Sequence, residues 1–270
     1  VATTTREPGE SIPIAAVPNL RDLGGWPTQS GGTVRWGQVY RSTALDRLEG
    51  ADMDAFAALG VRAVYDLRTE AEAAAQPDRL PPGTEYIALD VLADWSDAAP
   101  ALLLKAQTNP AAAEEMLGGG RATPLFEKAY RATVTLPSAL AAYRRLFSDL
   151  ARDERRPALF HCKTGKDRTG WAAAALLLLL GVSEELVMRE YLLTNDELLP
   201  AEQPVLDRFR ELGGDPEVLL PLVAVAPEYL EAALDEMRKT YGTIEGYFAD
   251  GLGIDAAGQA ALRDAFVEHR

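Results

Sequence analysis

One cysteine and two histidines are all the thiol and imidazole groups this 270-residue chain carries. A single cysteine excludes an internal disulfide, and two histidines, one of them the penultimate residue His269, leave a transition-metal site short of ligands. No metal and no cofactor is therefore expected. Positive charge is also scarce: 27 Lys and Arg stand against 41 Asp and Glu, a net charge of −14 with a pI near 4.7. Such a surface repels nucleic acid and anionic membranes at long range, so no nucleic-acid partner is expected. Long apolar runs are missing too. The longest, Trp171 to Leu180, has ten residues, short of the roughly 18 to 20 needed to span a bilayer, which excludes integral membrane association through a helix. The opening VATTTREPGES has neither a charged-then-apolar signal pattern nor an initiator methionine, as in a trimmed chain. The expected location is cytoplasmic, with export by a route lacking a recognisable signal peptide left open. No repeat period and no low-complexity linker divides the chain, so residues 1–270 read as one domain, and 47% hydrophobic content suffices for a sizeable core.

What is present is concentrated in ten residues, HCKTGKDRTG, from His161 to Gly170. Five residues separate the lone Cys162 from Arg168. A thiolate is a nucleophile, and a guanidinium can fork two hydrogen bonds onto a phosphoryl group. Pro157 opens a short apolar run, Ala158 to Phe160, that reads as a buried strand. Beyond the loop, Trp171 to Leu180, closed by Gly181, reads as a buried helix. Strand, tight loop and helix together aim the loop amides and the first free helix N–H groups at one point, where the helix dipole also favours negative charge. A phosphate fits there, and the same field favours an ionised Cys162. Taken singly, each residue has a plainer reading: a lone Cys is usually a small buried hydrophobe, and a bare C-x5-R occurs by chance. The joint occurrence of His161, Cys162, Gly165, Arg168, Thr169 and Gly170 between a strand and a helix outweighs those readings. A nucleotide-binding Walker loop is excluded, because Gly165-Lys166 is followed by Asp167 and Phe160 occupies the upstream glycine position.

The flanking pattern alternates strands and helices. Gly31 and Gly32 precede TVRWGQVYRS, which alternates as a hairpin or edge strand does. A helix over about Ala51 to Leu59, stopped by Gly60, leads into a strand at Val61 to Tyr65. Thr69 caps a helix to Ala75 ended by Pro77, and TEYIALDV is another strand. Leu140, Tyr143, Phe147 and Leu150 keep helical spacing, as do Leu230, Leu234, Met237 and Tyr241, and both stripes read as core-facing. From Ser183 onward the pattern is nearly all helical. The expected fold is α/β: a central, mostly parallel sheet flanked by helices, with an added C-terminal helical layer. The stretch 91–121 holds Pro100, Pro110 and three glycines, Gly118 to Gly120, between alanine-rich pieces. It reads as a helical lid over the pocket, or as an ordinary surface insertion.

The window His161 to Gly170 resembles the signature of the cysteine-dependent protein tyrosine phosphatase superfamily. Its GKDRTG form is similar to bacterial tyrosine and phosphoinositide phosphatases of the mycobacterial protein tyrosine phosphatase B group. NLRDLGG (Asn19 to Gly25), YRSTAL (Tyr40 to Leu45), VYDLRTEAE (Val64 to Glu72) and the segment Tyr229 to Ile254 resemble further motifs of that group. The resemblance implies a protein tyrosine phosphatase-like fold and hydrolysis of phosphomonoesters through a phosphocysteine. In it Cys162 is the nucleophile, Arg168 binds the phosphoryl oxygens, and Thr169 bonds the thiolate as it departs. His161 holds the loop and helps set the thiolate without moving a proton, and the run Lys163, Thr164, Gly165, Lys166, Asp167, Arg168 cradles the phosphate. For the general acid two residues compete: Asp66, at the carboxyl end of a strand, and Asp167, inside the loop. Asp94 and Asp97 are weaker alternatives. Lys163 and Lys166 match the loop lysines of the tumour-suppressor phosphoinositide 3-phosphatase and bring phosphoinositides beside phosphotyrosine, phosphoserine and phosphothreonine proteins as substrates. The plainer alternative pairs Lys166 with a carboxylate such as Asp66 while Lys163 faces solvent. Phosphate is expected as product or inhibitor. A lipid substrate needs a basic mouth, which Arg21, Arg41, Arg62, Arg68, Lys163 and Lys166 could form if the fold gathers them. The competing functional class is a catalytically silent pseudophosphatase that only binds a phosphorylated partner. Retention of Cys162, Arg168 and Thr169 disfavours it.

Overall fold

A computed structural model describes residues 6–95 and 106–269. Its centre is a five-stranded sheet in the order β1 (Arg21–Asp22), β3 (Val39–Ser42), β6 (Ala158–His161), β4 (Ala63–Asp66), β5 (Glu85–Ala88). The last four are parallel and β1 runs antiparallel to β3. Period-two alternation sorts the side chains onto two cores. On β6, Leu159 joins Val64 and Tyr40 on one face with Ile14, Leu20, Leu45 and Phe56. Ala158 and Phe160 join Ala63, Tyr65 and Val39 on the other. The expected hairpin in TVRWGQVYRS is corrected. Thr33–Val34 (β2) pairs with the C-terminal Val267–Glu268 (β7) in a separate ribbon, while β3 takes an interior place in the main sheet.

Helices cover the sheet: α1 (Gly50–Ala57), α2 (Glu70–Ala75), α3 (Pro110–Leu117), α4 (Ala122–Thr135), α5 (Pro137–Leu150), α6 (Asp167–Leu179), α7 (Glu184–Glu211), α8 (Pro227–Tyr241) and α9 (Ala256–Phe266). Thr69 caps α2 as expected, in a reciprocal box with Glu72. Helix α6 starts four residues before the apolar run, at Asp167, so the second half of the His161 to Gly170 window is itself the first helical turn. Its residues Thr169 to Leu177 are all buried, as a helix that is apolar on every side must be. In the two predicted stripes Tyr143, Phe147, Leu150, Leu230, Leu234 and Met237 are buried, with Leu140 and Tyr241 packed at the margin. The C-terminal layer is helical as expected, and α8 packs along α4. Among the described residues no helix is long and apolar enough to cross a membrane.

Candidate active site

The loop from Cys162 to Lys166 leaves the end of β6, the middle strand, and runs directly into α6. Cys162 is buried at its base. The loop is held from behind by three of its carbonyls. The Ala44 amide donates to the Lys163 carbonyl at 3.1 Å. Asn19 Nδ2 donates to the carbonyls of Thr164 and Gly165 at 3.4 and 3.1 Å, and Arg41 Nη2 to that of Gly165 at 2.5 Å. In a planar trans peptide the N–H points opposite to the C=O, so the amides of Thr164, Gly165 and Lys166 are turned into the concave side. Gly165 is required by geometry: its φ is +66°, and a Cβ there would lie 2.3 Å from the Ser42 carbonyl oxygen.

Asn19 and the two arginines are fixed by one buried carboxylate. Glu190, from α7, bonds Arg21 at 2.8 Å and Arg41 at 2.7 Å, and Arg21 also bonds the Asn19 side-chain oxygen. Burial alone would raise the Glu190 carboxyl, but the guanidiniums of Arg41 and Arg21 hold it below the ordinary range. The NLRDLGG and YRST motifs are thus a brace behind the loop. This corrects the expected basic mouth. Arg21 and Arg41 are fully buried, Arg68 is buried against Asp66 and Asp78, and Arg62 is exposed at the opposite end of β4. Of that set only Lys163 is exposed beside the loop.

Arg168 has a partner that the sequence reading missed. Its Nη1 and Nη2 meet the two Glu72 oxygens at 2.6 and 3.1 Å, and Nη1 also reaches the Leu67 carbonyl at 3.4 Å. This leaves the Nε–H and the second Nη2–H along one edge, a geometry that matches two oxygens of a phosphoryl group. Burial raises the Glu72 carboxyl, yet the Arg168 fork and Thr69 pull it down to about 2. The capping-box spacing from Thr69 to Glu72 was legible, but that the same carboxylate faces Arg168 required the fold. The Arg168 carbonyl is fixed by Tyr143 Oη at 3.0 Å.

The two acid candidates lie in different surroundings. Asp66 accepts three Arg68 side-chain bonds at 2.7 to 3.0 Å and one from Tyr86 Oη at 2.8 Å. Burial raises its carboxyl, but Arg68 and His161 bring it below the usual range. An anion so fully engaged has no proton to give. Asp167 is half-buried on the pocket wall, where its Oδ1 accepts from Tyr130 Oη at 2.8 Å and from Lys166 Nζ at 3.0 Å, while Oδ2 meets no donor among the described residues. Tyr191 Oη lies 2.6 Å from Tyr130 Oη and extends this chain inward. Asp94 is tied to Ser138 at the start of α5, and Asp97 lies outside the described residues.

Lys166 is buried and donates to Asp167 and to the carbonyls of Pro221 and Ala224, with its ammonium 4.7 Å from the centre of the Phe126 ring. Lys166 thus pairs with a carboxylate, as the plainer reading expected, and the partner is Asp167 instead of the example Asp66. Thr169 Oγ1 is buried and has no hydrogen-bond partner among the described residues, so the bond to the Cys162 sulfur is not formed here. His161 is buried between the Cys162 carbonyl and Asp78. Beside the loop opens a pocket of about 220 Å³ with apolar walls from Leu92, Trp95, Leu125, Phe126, Ala129 and Leu222, floored by Lys163, Thr164, Asp167 and Arg168. Leu92, Trp95 and Gln107 belong to the stretch 91–121, whose central residues 96–105 lie outside the described set.

A buried thiol, a forked arginine, inward-facing amides and an adjoining apolar slot form a site for cleaving a phosphoryl group from an organic alcohol. Residues 12–268 match the model of the tyrosine phosphatase family. The chain is 32% identical to the triple specificity protein phosphatase PtpB of Mycobacterium tuberculosis, over 92% of this chain and 96% of that one. It is 30% identical to a Cupriavidus necator protein whose name assigns it provisionally as a tyrosine-protein phosphatase, over 89% and 84%. A tyrosine-protein phosphatase of Nostoc commune is 33% identical over 56% of this chain and 46% of its own. The chain belongs to the tyrosine phosphatase family, and its activity is the hydrolysis of phosphomonoesters.

Proposed function

We propose that the enzyme acts on phosphotyrosine in proteins through a phosphocysteine at Cys162, with Asp167 as general acid and base. The supporting observation is that Arg168 and Asp167, whose Oδ2 meets no donor among the described residues, line a slot with aromatic and aliphatic walls beside the loop that Cys162 begins. In the first step the thiolate attacks phosphorus, the S–P bond forms as the P–O bond to the phenol breaks, and Asp167 Oδ2 gives its proton to the departing oxygen. Arg168 and the amides of Thr164, Gly165 and Lys166 bind the three equatorial oxygens, where charge is spread in the transition state. In the second step Asp167 takes a proton from water as its oxygen attacks phosphorus. The S–P bond breaks, and inorganic phosphate leaves.

The walls suit a flat ring, which favours phosphotyrosine. Phosphoserine, phosphothreonine and phosphoinositides extend the range, as the name of the mycobacterial relative suggests for that protein. For a second phosphate the cation available is Lys163, because the Lys166 ammonium is already committed to Asp167 and two carbonyls. Segment 91–121 is proposed as a cover, supported by the contribution of Leu92, Trp95 and Gln107 to the pocket wall. If limited proteolysis within it is unchanged by a phosphate analogue, it is no cover.

Hydrolysis of para-nitrophenyl phosphate without added metal is expected from the wild type and from neither Cys162→Ser nor Arg168→Ala. Acid-quench trapping with a labelled substrate is expected to leave phosphorus on Cys162. Turnover surviving in Cys162→Ser would overturn the mechanism. A panel of phosphopeptides and phosphoinositides then ranks the substrates, and faster turnover of phosphoinositides would displace phosphotyrosine from first place.

A further inference from the structure

Behind the catalytic loop lies a second polar cluster that the mechanism above does not use. His161, the residue before Cys162, is completely buried and bonds through both ring nitrogens. Nδ1 is 3.0 Å from the Cys162 carbonyl oxygen, and Nε2 is 2.9 Å from Asp78 Oδ2. A carbonyl oxygen only accepts, so Nδ1 must carry a hydrogen. Asp78 also has an acceptor's surroundings: its Oδ1 takes the Leu45 amide at 2.9 Å and lies 3.0 Å from Arg68 Nη2 in an ion pair. An ionised Asp78 leaves only acceptor capacity for His161, and Nε2 must then carry a hydrogen as well.

The charges agree with this. The groups facing His161 are Asp66 and Arg68 from β4 and the turn after it, Asp78 from the turn after α2, Tyr86 from β5 through Asp66, and Cys162 on its own strand end. The side chains of Asp66, Arg68, Asp78 and His161 are each at most 1% exposed. Two carboxylates and one guanidinium leave an uncompensated negative charge among buried side chains, and a charged imidazole cancels it. Asp66, Asp78 and His161 also bring three ligand atoms within 4.8 Å of one another, but the Arg68 guanidinium already supplies the cation between the carboxylates.

We propose that Asp78 is a positioning residue for catalysis, holding His161 as a doubly protonated imidazolium that locks the Cys162 carbonyl and sets a fixed positive charge beside the nucleophile. The role rests on Cys162 being the nucleophile, and Asp78 acts only through His161. Nothing in the sequence marks Asp78, which lies in the Pro-Asp turn QPDRL and reaches His161 across 83 positions of chain.

Because His161 and His269 are the only histidines, nitrogen-15 NMR resolves the ring directly. The wild type at neutral pH is expected to show two slowly exchanging ring N–H signals for His161, and the same two in Cys162→Ser. In Asp78→Asn the amide oxygen can still accept from Leu45 and Arg68, but its NH₂ faces Nε2, so one ring N–H signal is expected to vanish. Inactivation by iodoacetamide at about pH 6 is expected to slow about tenfold in that variant, as loss of a nearby cation disfavours the thiolate. His161→Gln is expected to slow inactivation similarly, with no further loss on adding Asp78→Asn. A single ring N–H in the wild type overturns the proposal even if Asp78→Asn does not fold, and so does an Asp78→Asn enzyme that keeps both signals and wild-type reactivity. A neutral His161 in an enzyme that Cys162→Ser inactivates removes the Asp78 role alone. Turnover surviving in Cys162→Ser removes the nucleophile reading beneath it.

Discussion

Glu72→Gln separates the fold from the chemistry at Arg168. The two side chains are 22% and 12% exposed and share two bonds, at 2.6 and 3.1 Å. Glutamine keeps the length and one acceptor oxygen, and it is an accepted third residue in the capping box with Thr69, so helix α2 survives. It also turns an NH₂ donor toward a guanidinium that can only donate. One charge-assisted bond is lost, worth about 1.5–3 kcal/mol, and the phosphate-binding edge of Arg168 loses its fixed direction. With tenfold in rate for each ~1.4 kcal/mol, kcat/KM for para-nitrophenyl phosphate should fall about 10- to 100-fold. Stability changes in a way that depends on pH. The Glu72 carboxyl is drawn from its ordinary 4.5 to about 2 in the folded protein, equivalent to ~3 kcal/mol at full strength and about half that after solvent screening. A folded-state value below the unfolded one means this stabilisation is complete above about pH 4.5 and is lost as the pH falls toward 2. Denaturant unfolding should therefore show the wild type ahead of Glu72→Gln by about 1.5 kcal/mol at pH 7, with the gap closing by pH 2 to 3. Equal kcat/KM in the two proteins, or stability curves that run parallel from pH 7 to 3, would refute the reasoning.

Glu190→Gln leaves Arg21 and Arg41 buried without their counter-charge and should cost about 3–5 kcal/mol in denaturant unfolding at pH 7, with activity lost before global unfolding as the loop brace loosens. Gly165→Ala forces a Cβ against the Ser42 carbonyl at a positive φ, and thermal denaturation should show a loss of about 1–3 kcal/mol or more. For the acid, Asp167→Asn should slow phenyl phosphate far more than para-nitrophenyl phosphate, because a poor leaving group needs the proton. Asp66→Asn should instead lower stability and slow both substrates alike. An Asp66→Asn enzyme with the selective defect would reverse that assignment. Arg168→Lys keeps the charge without the fork, and its kcat should fall by at least about tenfold.

The sequence by itself determined the reaction and the frame. HCKTGKDRTG between an apolar strand and an apolar helix can hardly be anything but a loop turned around an anion, since β6 and α6 must be buried and the glycine and small residues permit the tight turn. Local spacing also settled Thr69 as a cap and the core-facing stripes of α5 and α8. Tertiary structure decided what faces what. Asp66 and Asp167 are both acidic residues beside the loop in sequence terms. Only packing shows that Arg68 consumes the first, while the second lines the pocket with an Oδ2 that meets no donor among the described residues. The same holds for the arginines: Arg21 and Arg41 look like surface charge until Glu190, 169 and 149 residues on, takes them inside. Glu72, Asp78 and Glu190 escaped notice for one reason. An acidic chain offers many carboxylates, and a carboxylate's role comes from the partner it meets across the fold, which neither periodicity nor local spacing encodes.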